Sequence, residues 1–214
     1  MKTYDYILFD LDGTLTDPQE GIINSIQYAL KRYGIAKENK DLIRFIGPPL
    51  HVSFREFFDT DAQAFEAVDV YREYYSDKGI FENLLFDGIP ELLQTLQQKG
   101  KTICLATSKP QFFAEQILHH FKIHHFFNVI VGANLDGTRT EKREVIAEVI
   151  RQLPGFDSAK AIMIGDRKHD IIGAKFHHID TIAVLFGYGT LEELKKEQPD
   201  YMVKTVGEIG ELLT

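Results

Sequence analysis

The sequence predicts an α/β fold in which a parallel sheet flanked by helices is interrupted, after its first strand, by a helical insert. Two observations predict it. In the second half of the chain, short continuous apolar runs alternate with amphipathic helical patterns, as expected for strands buried on both faces and joined by helical crossovers. Between about residues 18 and 85, helical periodicity continues without strand-like runs.

Five apolar runs predict the strands of the sheet. They are residues 6–9, 102–106, 128–131, 161–164 and 181–185. Helices are predicted between them at 112–121, 141–153 and 171–177, and a further helix begins at 88–91, where proline and glutamate suit a first turn. Strand–helix–strand order implies right-handed crossovers within one sheet.

Two apolar helical faces define the insert, separated by the helix-breaking Gly47-Pro48-Pro49. One face comprises Ile22, Ile26, Ala29, Leu30 and Tyr33, and the other comprises Phe65, Val68, Tyr71 and Tyr75. We therefore predict an α/β core of residues 1–17 and 86–214 and a helical cap of residues 18–85. An insert at this point is expected to act as a lid over the end of the first strand, and a helical satellite packed elsewhere is the alternative.

The composition limits the classes of partner. Hydrophobic residues make up 44% of the 214 residues, enough for a sizeable core, and the formal net charge is −8. An acidic chain argues against nucleic acid and anionic membranes, which need a basic surface. The segment before Asp10 is too short for the apolar core of a signal peptide, and no apolar run approaches membrane-spanning length. We expect a cytoplasmic protein, either a monomer or a homodimer.

The first predicted strand runs directly into Asp10-Leu11-Asp12-Gly13-Thr14-Leu15. Two carboxylates two residues apart repel each other unless a cation or a proton lies between them. Ligands of open α/β sheets bind outside the carboxyl ends of the strands, so this doublet is a candidate reaction site. A strand that ends in a solvated Asp-Gly turn is the alternative.

Other predicted strands also deliver polar residues at their carboxyl ends. One runs into Thr107-Ser108-Lys109, whose hydroxyl, backbone N–H and ammonium are candidates for holding a phosphate, although a helix N-cap explains the same residues. Another runs into Gly165-Asp166-Arg167-Lys168-His169-Asp170. Carboxylates that converge at one sheet edge form a hard oxygen site suited to magnesium, and helix capping is the alternative for Asp166 and Asp170.

A cation is expected near the same edge from residues 138–142. Lys142 begins a predicted helix, where the helix dipole disfavours a cation and a bound anion would relieve the conflict. Arg139 is the alternative phosphate ligand, and a solvated lysine is the alternative for Lys142.

Together these residues resemble the haloacid dehalogenase superfamily. The resemblance rests on four motifs in order: Asp10-x-Asp12-Gly13-Thr14-Leu15, then Thr107, then Lys142, then Gly165-Asp166-x-x-x-Asp170. It implies a Rossmann-like parallel sheet core with an inserted helical cap. The loop Gly47-Pro48-Pro49-Leu50 resembles a substrate-contacting cap loop of the phosphoglycolate-phosphatase-like branch, so Gly47 and Pro48 are predicted to bind substrate.

The resemblance also implies roles for individual residues. Asp10 would be the nucleophile that forms an aspartyl-phosphate, and Asp12 the acid and base. Mg²⁺ would be held by the Asp10 carboxylate, the Asp12 backbone carbonyl and the Asp166 carboxylate, with Asp170 as a ligand through water or as an anchor. The remaining candidates would hold the phosphoryl oxygens; they are Thr107, Ser108 and Lys142.

An acid at position 12 favours phosphate esters over halides, because an alcohol leaves with a proton and a halide does not. The predicted function is therefore a Mg-dependent phosphatase for a small phosphorylated metabolite, either a phosphoglycolate-like acid or a nucleoside 5'-monophosphate. Members of the resembled family commonly have asparagine at the position of Ser108 and proline at the position of Arg143. These two differences argue against assigning the phosphoglycolate specificity of that branch to this chain. A phosphosugar mutase and a non-catalytic protein that binds a phosphorylated metabolite are the alternatives.

Overall fold

The computed structural model describes residues 2–48 and 50–214, and the chain divides into two compact units. One unit comprises residues 1–16 and 85–214, and the other comprises residues 17–84. In the described part of the chain, no helix combines the length and apolar character needed to cross a bilayer.

The larger unit is built on a six-stranded sheet. Its strands are β1 (Tyr6–Phe9), β4 (Thr102–Pro110), β5 (Val129–Ala133), β6 (Ala161–Gly165), β7 (Asp180–Val184) and β8 (Tyr201–Val203). Their order is β5-β4-β1-β6-β7-β8, and every neighbouring pair is parallel. β1, β4 and β6 carry continuous buried apolar residues because helices cover both faces of a sheet of this kind. The predicted α/β fold class is therefore confirmed.

Helices connect the strands of this unit. They are α5 (Ile89–Gln98), α6 (Gln111–His120), α7 (Lys142–Gln152), α8 (Lys168–Phe176), α9 (Leu191–Lys196) and α10 (Val206–Leu213). Short 3-10 turns lie at His124–Phe126 and Ser158–Lys160. β8, α9 and α10 were not predicted from the sequence. Each is short, and three to eight residues carry too little periodicity to stand out.

The smaller unit is mostly helical. Its helices are α1 (Gln19–Arg32), α2 (Asn39–Leu42), α3 (Leu50–Phe54) and α4 (Asp61–Tyr74), with a 3-10 turn at Ile43–Phe45 and a π-helical turn at Tyr75–Gly79. Thr60 caps α4 through a reciprocal capping box with Gln63. Phe65 was predicted to lie on the apolar face of α4, but 54% of it is exposed, and Ala64 and Ala67 fill the core instead. Two two-residue strands, β2 (Thr16–Asp17) and β3 (Leu84–Leu85), pair at the points where the chain passes from one unit to the other.

Candidate active site

The carboxyl ends of three adjacent strands meet at one edge of the sheet, with β1 between β4 and β6. Asp10 follows β1 directly, and its backbone N–H donates to the carbonyl of Ile164 at 2.9 Å. Asp166 follows β6. β4 was predicted to end at residue 106, but it continues to Pro110, with an irregularity in its pairing with β5 after Ala106. Thr107 therefore lies within this strand. Parallel packing therefore places these three residues at one edge of the sheet, as expected for such a fold.

Three carboxylates form a buried cluster at this edge. Asp10, Asp166 and Asp170 each offer an oxygen atom, and these oxygens lie within 4.8 Å of one another. Burial raises the pKa of Asp166 well above its usual range, and the nearby charges of Asp170 and Asp10 raise it further. Burial also raises the pKa of Asp170 to about 6, although Lys142 opposes the shift. A cluster in this state calls for either protons or a cation.

Lys142 lies inside the cluster with its side chain almost fully buried. Its Nζ is 2.9 Å from Asp10 Oδ1 and 2.7 Å from Asp170 Oδ1, and it donates to the carbonyl of Ala106 at 2.8 Å. Burial disfavours the ammonium, but the charges of Asp10 and Asp170 outweigh burial and raise the pKa of Lys142. Lys142 therefore stays charged and neutralises part of the cluster.

Arg139, the alternative phosphate ligand, makes contacts of a different kind. Its backbone is left-handed, with φ 53°. Its Nε donates to the carbonyl of Gly132 at 2.8 Å, and Nη2 donates to Gln111 Oε1 at 3.3 Å. These contacts tie the guanidinium to the ends of β5 and α6, whereas Lys142 lies against the Asp10 carboxylate.

Asp12 forms a separate ion pair. Lys109 Nζ lies 2.6 Å from Asp12 Oδ2, and both side chains are largely buried. Asp12 Oδ1 is buried as well and accepts no hydrogen bond from residues 2–48 or 50–214. Burial raises the pKa of Asp12, Lys109 opposes the shift, and Asp10 adds to it. From the sequence, Lys109 was predicted only as a candidate phosphate ligand. Its position two residues after Thr107, at the same sheet edge, was the available signal for a role beside Asp12.

The surroundings of Asp166 fit a hard cation. Its Oδ2 accepts the backbone N–H of Tyr188 at 2.7 Å, while its buried Oδ1 has no hydrogen-bond partner among the residues that the structure describes. A Cβ added at Gly13 would overlap Asp166 Oδ2, and one added at Gly187 would overlap the Asp166 side chain and the Gly13 carbonyl. Glycines therefore let the backbone approach this carboxylate closely. An orphaned carboxylate oxygen beside two further carboxylates is a donor set that suits a divalent cation such as magnesium.

The segment between Asp166 and Asp170 is held from several sides. Asp170 Oδ2 accepts the backbone N–H of Arg167 at 3.0 Å and so caps α8, while Oδ1 faces Lys142. Glu193 of α9 accepts from Arg167 Nε at 3.1 Å and from the backbone N–H of Lys168 at 3.0 Å. The capping alternative for Asp170 is thus observed, and it coexists with the charge cluster. Glu193 was missed by the sequence analysis, since it lies in a helix that was not predicted.

The remaining predicted substrate ligands lie in different places. Thr107 is buried, with Oγ1 accepting a backbone N–H from two residues further on at 3.2 Å, and Ser108 is half-buried in β4. Gly47, with φ 103°, and Pro48 belong to the helical unit, and Pro49 lies outside the described residues. The roles of these residues in substrate binding stay predictions.

Comparisons with known proteins agree on the family. The family model of haloacid dehalogenase-like hydrolases matches residues 7–184. A Pseudomonas aeruginosa protein named 5'-nucleotidase is 45% identical over 98% of this chain and 96% of its own length. A Mycobacterium tuberculosis protein named Tyrosine-protein kinase PtkA is 40% identical over 97% of this chain and 72% of its own. A solved structure from Clostridium difficile superposes with a TM-score of 0.93, at 51% identity over the whole of both chains.

Four carboxylates and two lysines lie at the carboxyl edge of the parallel sheet. The family model matches residues 7–184. Together these findings identify the class of protein. The chain belongs to the haloacid dehalogenase-like hydrolases. Within that family it is a phosphatase, that is, a phosphoric monoester hydrolase.

Proposed function

We propose that this protein is a magnesium-dependent phosphatase that hydrolyses nucleoside 5'-monophosphates in the cytoplasm through an aspartyl-phosphate intermediate. The observation that carries the catalytic part is the buried cluster in which Lys142 lies 2.9 Å from the carboxylate of Asp10. The similarity to a protein named 5'-nucleotidase, over nearly the whole of both chains, supports the choice of a nucleotide over a phosphoglycolate-like acid.

In the first step of the proposal, a carboxylate oxygen of Asp10 attacks phosphorus. The bond from phosphorus to the nucleoside oxygen breaks, and Asp12 donates its proton to that oxygen, so that the alcohol leaves neutral. The raised pKa of Asp12 supports this role, because burial favours the protonated form of the group.

In the second step, water attacks phosphorus of the aspartyl-phosphate, and the bond between phosphorus and the Asp10 oxygen breaks. Asp12, now ionised, takes the proton from this water. Inorganic phosphate leaves, and both carboxyl groups return to their starting states. One residue serves as acid and then as base, which requires a carboxyl group that is stable in both forms.

The remaining residues bind and orient. The Asp10 and Asp166 carboxylates and the Asp12 backbone carbonyl would hold Mg²⁺, which when bound supplies positive charge that offsets repulsion between the anionic nucleophile and the phosphate. Asp170 Oδ1 forms an ion pair with Lys142, and Oδ2 accepts the backbone N–H of Arg167. These contacts support a role for Asp170 in anchoring its neighbours rather than in binding the metal directly. Lys142 and the Thr107–Ser108 segment would hold the phosphoryl oxygens, where negative charge must be stabilised.

A phosphate-release assay across phosphorylated metabolites tests the proposal. Nucleoside 5'-monophosphates, phosphoglycolate and sugar phosphates are each supplied with Mg²⁺ and with EDTA. We expect release from the nucleotides with Mg²⁺ and none with EDTA. The Asp10→Asn variant removes the nucleophile, and Asp5→Asn, an exposed aspartate that pairs with Lys160 at 3.4 Å, is the matched control with full activity.

Specific outcomes would contradict the proposal. Phosphoglycolate as the preferred substrate overturns the nucleotide assignment but leaves the phosphatase mechanism in place. A bisphosphate intermediate with negligible free phosphate shows a phosphosugar mutase. A flat response to every compound shows a protein that binds without turnover, and undiminished activity in Asp10→Asn overturns the mechanism.

A further inference from the structure

We infer that Lys109 is a positioning residue for the proton transfers, holding one carboxylate oxygen of Asp12 and leaving the other to carry the proton. The inference rests on the proposed function, in which Asp12 is the acid and base. Lys109 lies outside the four family motifs, and the sequence predicted it only as a candidate phosphate ligand.

The fold imposes this contact. Lys109 comes from the end of β4 and Asp12 from the loop after β1, so the two residues lie 97 positions apart in the chain and meet only because their strands are neighbours. The distance of 2.6 Å is that of a direct ion pair, and the side chains are only 7% and 18% exposed. Lysines are seldom buried to this extent without a partner, so the burial of Lys109 depends on its ion pair with Asp12.

The two oxygens of Asp12 differ because of this pair. Oδ2 accepts from the ammonium of Lys109, whereas Oδ1 is buried and has no hydrogen-bond partner in the described part of the chain. An ammonium has three donors and no acceptor, so a proton on Oδ2 would face another donor. The proton of the neutral carboxyl group is therefore held on Oδ1.

The proton balance follows from that assignment. As the bond between phosphorus and the leaving oxygen breaks, the proton moves from Asp12 Oδ1 to that oxygen, and the carboxylate that remains is still bonded to Lys109. When water attacks the aspartyl-phosphate, Oδ1 takes one proton from it. Lys109 keeps its three protons throughout and acts on the reaction only through Asp12.

A role of Lys109 in binding phosphate predicts different behaviour. A phosphate ligand touches the part that all substrates share, so its loss lowers the rate for every phosphomonoester by a similar factor. A residue that positions the acid affects leaving groups unequally, because a nitrophenolate departs without a proton and an alkoxide does not. Comparison of two leaving groups separates these roles.

The test compares kcat/KM for p-nitrophenyl phosphate and for an alkyl phosphate, in wild type and in Lys109→Met, with Mg²⁺ present. This constant reports events up to formation of the aspartyl-phosphate, before the second proton transfer. We expect Lys109→Met to lose about 10²-fold on the alkyl ester and less than about 10-fold on the aryl ester, since general acid catalysis contributes factors of this order. Lys109→Gln, which keeps a donor, should lose less on the alkyl ester and serves if the methionine variant does not fold.

The matched control is Lys101→Met, a partly buried lysine at the opposite end of the sheet that donates to the carbonyl of Tyr4. We expect it to retain wild-type values for both esters. Asp12→Asn is the reference for loss of the acid, and Lys109→Met should show the same preference for the aryl ester.

The possible results distinguish failure of the inference about Lys109 from failure of the proposed function. Equal losses on the two esters in Lys109→Met, or no loss on either, overturn the inference while Asp12→Asn still prefers the aryl ester. If Asp12→Asn itself shows no such preference, the assignment of Asp12 as the acid is wrong. If the wild-type protein releases no phosphate from either ester, the proposed function fails together with the inference.

Discussion

Removal of Lys142 tests the electrostatics of the carboxylate cluster without any substrate. In Lys142→Met the ammonium that lies 2.9 Å from Asp10 Oδ1 and 2.7 Å from Asp170 Oδ1 is replaced by an uncharged side chain that is nearly as long. The carboxylates then face one another with no buried cation between them, and the carbonyl of Ala106 loses a donor. We expect the metal-free protein to be strongly destabilised.

The magnitude follows from the geometry. At an effective dielectric constant of about 20, Coulomb's law gives each of these contacts about 6 kcal/mol before desolvation is subtracted. Desolvation of the lysine offsets much of this, and removal of one partner from a buried ion pair costs about 3 to 5 kcal/mol. For a chain of this length, that loss lowers Tm by roughly 6 to 20 °C, at about 2 to 4 °C per kcal/mol.

Thermal unfolding in EDTA measures the effect. Lys160→Met is the matched control, because Lys160 is 57% exposed and its pair with Asp5 is 3.4 Å long. It loses the same charge from the surface, and we expect its free energy of unfolding to change by less than about 0.5 kcal/mol.

Magnesium supplies the second arm of this experiment. A cation bound among the carboxylates replaces part of the charge that Lys142 provided, so Mg²⁺ should raise the Tm of Lys142→Met by more than it raises that of wild type. The reasoning is refuted if Lys142→Met unfolds at the same temperature as Lys160→Met in EDTA, or if Mg²⁺ raises the Tm of wild type and Lys142→Met equally.

Three further predictions concern the same edge of the sheet. Asp10→Asn should lower phosphate release by at least about 10³-fold, measured in the standard assay with Mg²⁺. In EDTA, the free energy of unfolding should fall as the pH rises from about 4 to about 6, because the folded protein holds the proton of Asp170 more tightly than the unfolded chain does; the pKa of Asp170 in the folded protein is about 6. Urea titrations across this pH range should show a smaller fall in Asp170→Asn than in wild type. An equal fall in the two proteins would contradict the prediction. Gly187→Ala, whose new Cβ would overlap Asp166, should cost about 1 to 3 kcal/mol and weaken activation by Mg²⁺. Gly207→Ala in α10, whose Cβ would meet Thr205 Oγ1 at 3.8 Å, an ordinary van der Waals contact, should be neutral or stabilising.

The strands that carry the site were predictable because their signal is local. A strand buried on both faces reads as an unbroken apolar run, and residues 6–9 and 161–164 are such runs. Parallel order then places whatever follows each run at one edge, so Asp10 and Asp166 were expected to meet. The structure brings their oxygens within 4.8 Å, together with one from Asp170.

The pairings within the site were not predictable in this way. Whether Lys109 turns toward phosphate or toward Asp12 depends on side-chain direction across two strands that are far apart in sequence. The same holds for Lys142, which lies between Asp10 and Asp170. No periodicity or spacing encodes such choices.

The sequence by itself determined the fold class, the sheet edge and the chemical types gathered there, because hydrophobic patterning and strand order act through short stretches of chain. The tertiary structure alone decided which charges pair and which carboxylate oxygens lack a hydrogen-bond partner among the described residues. It also decided which backbone N–H groups hold Asp166, as that of Tyr188 does. These features arise from long-range packing in a medium of low dielectric, where ångström differences in distance determine the partner of each charge.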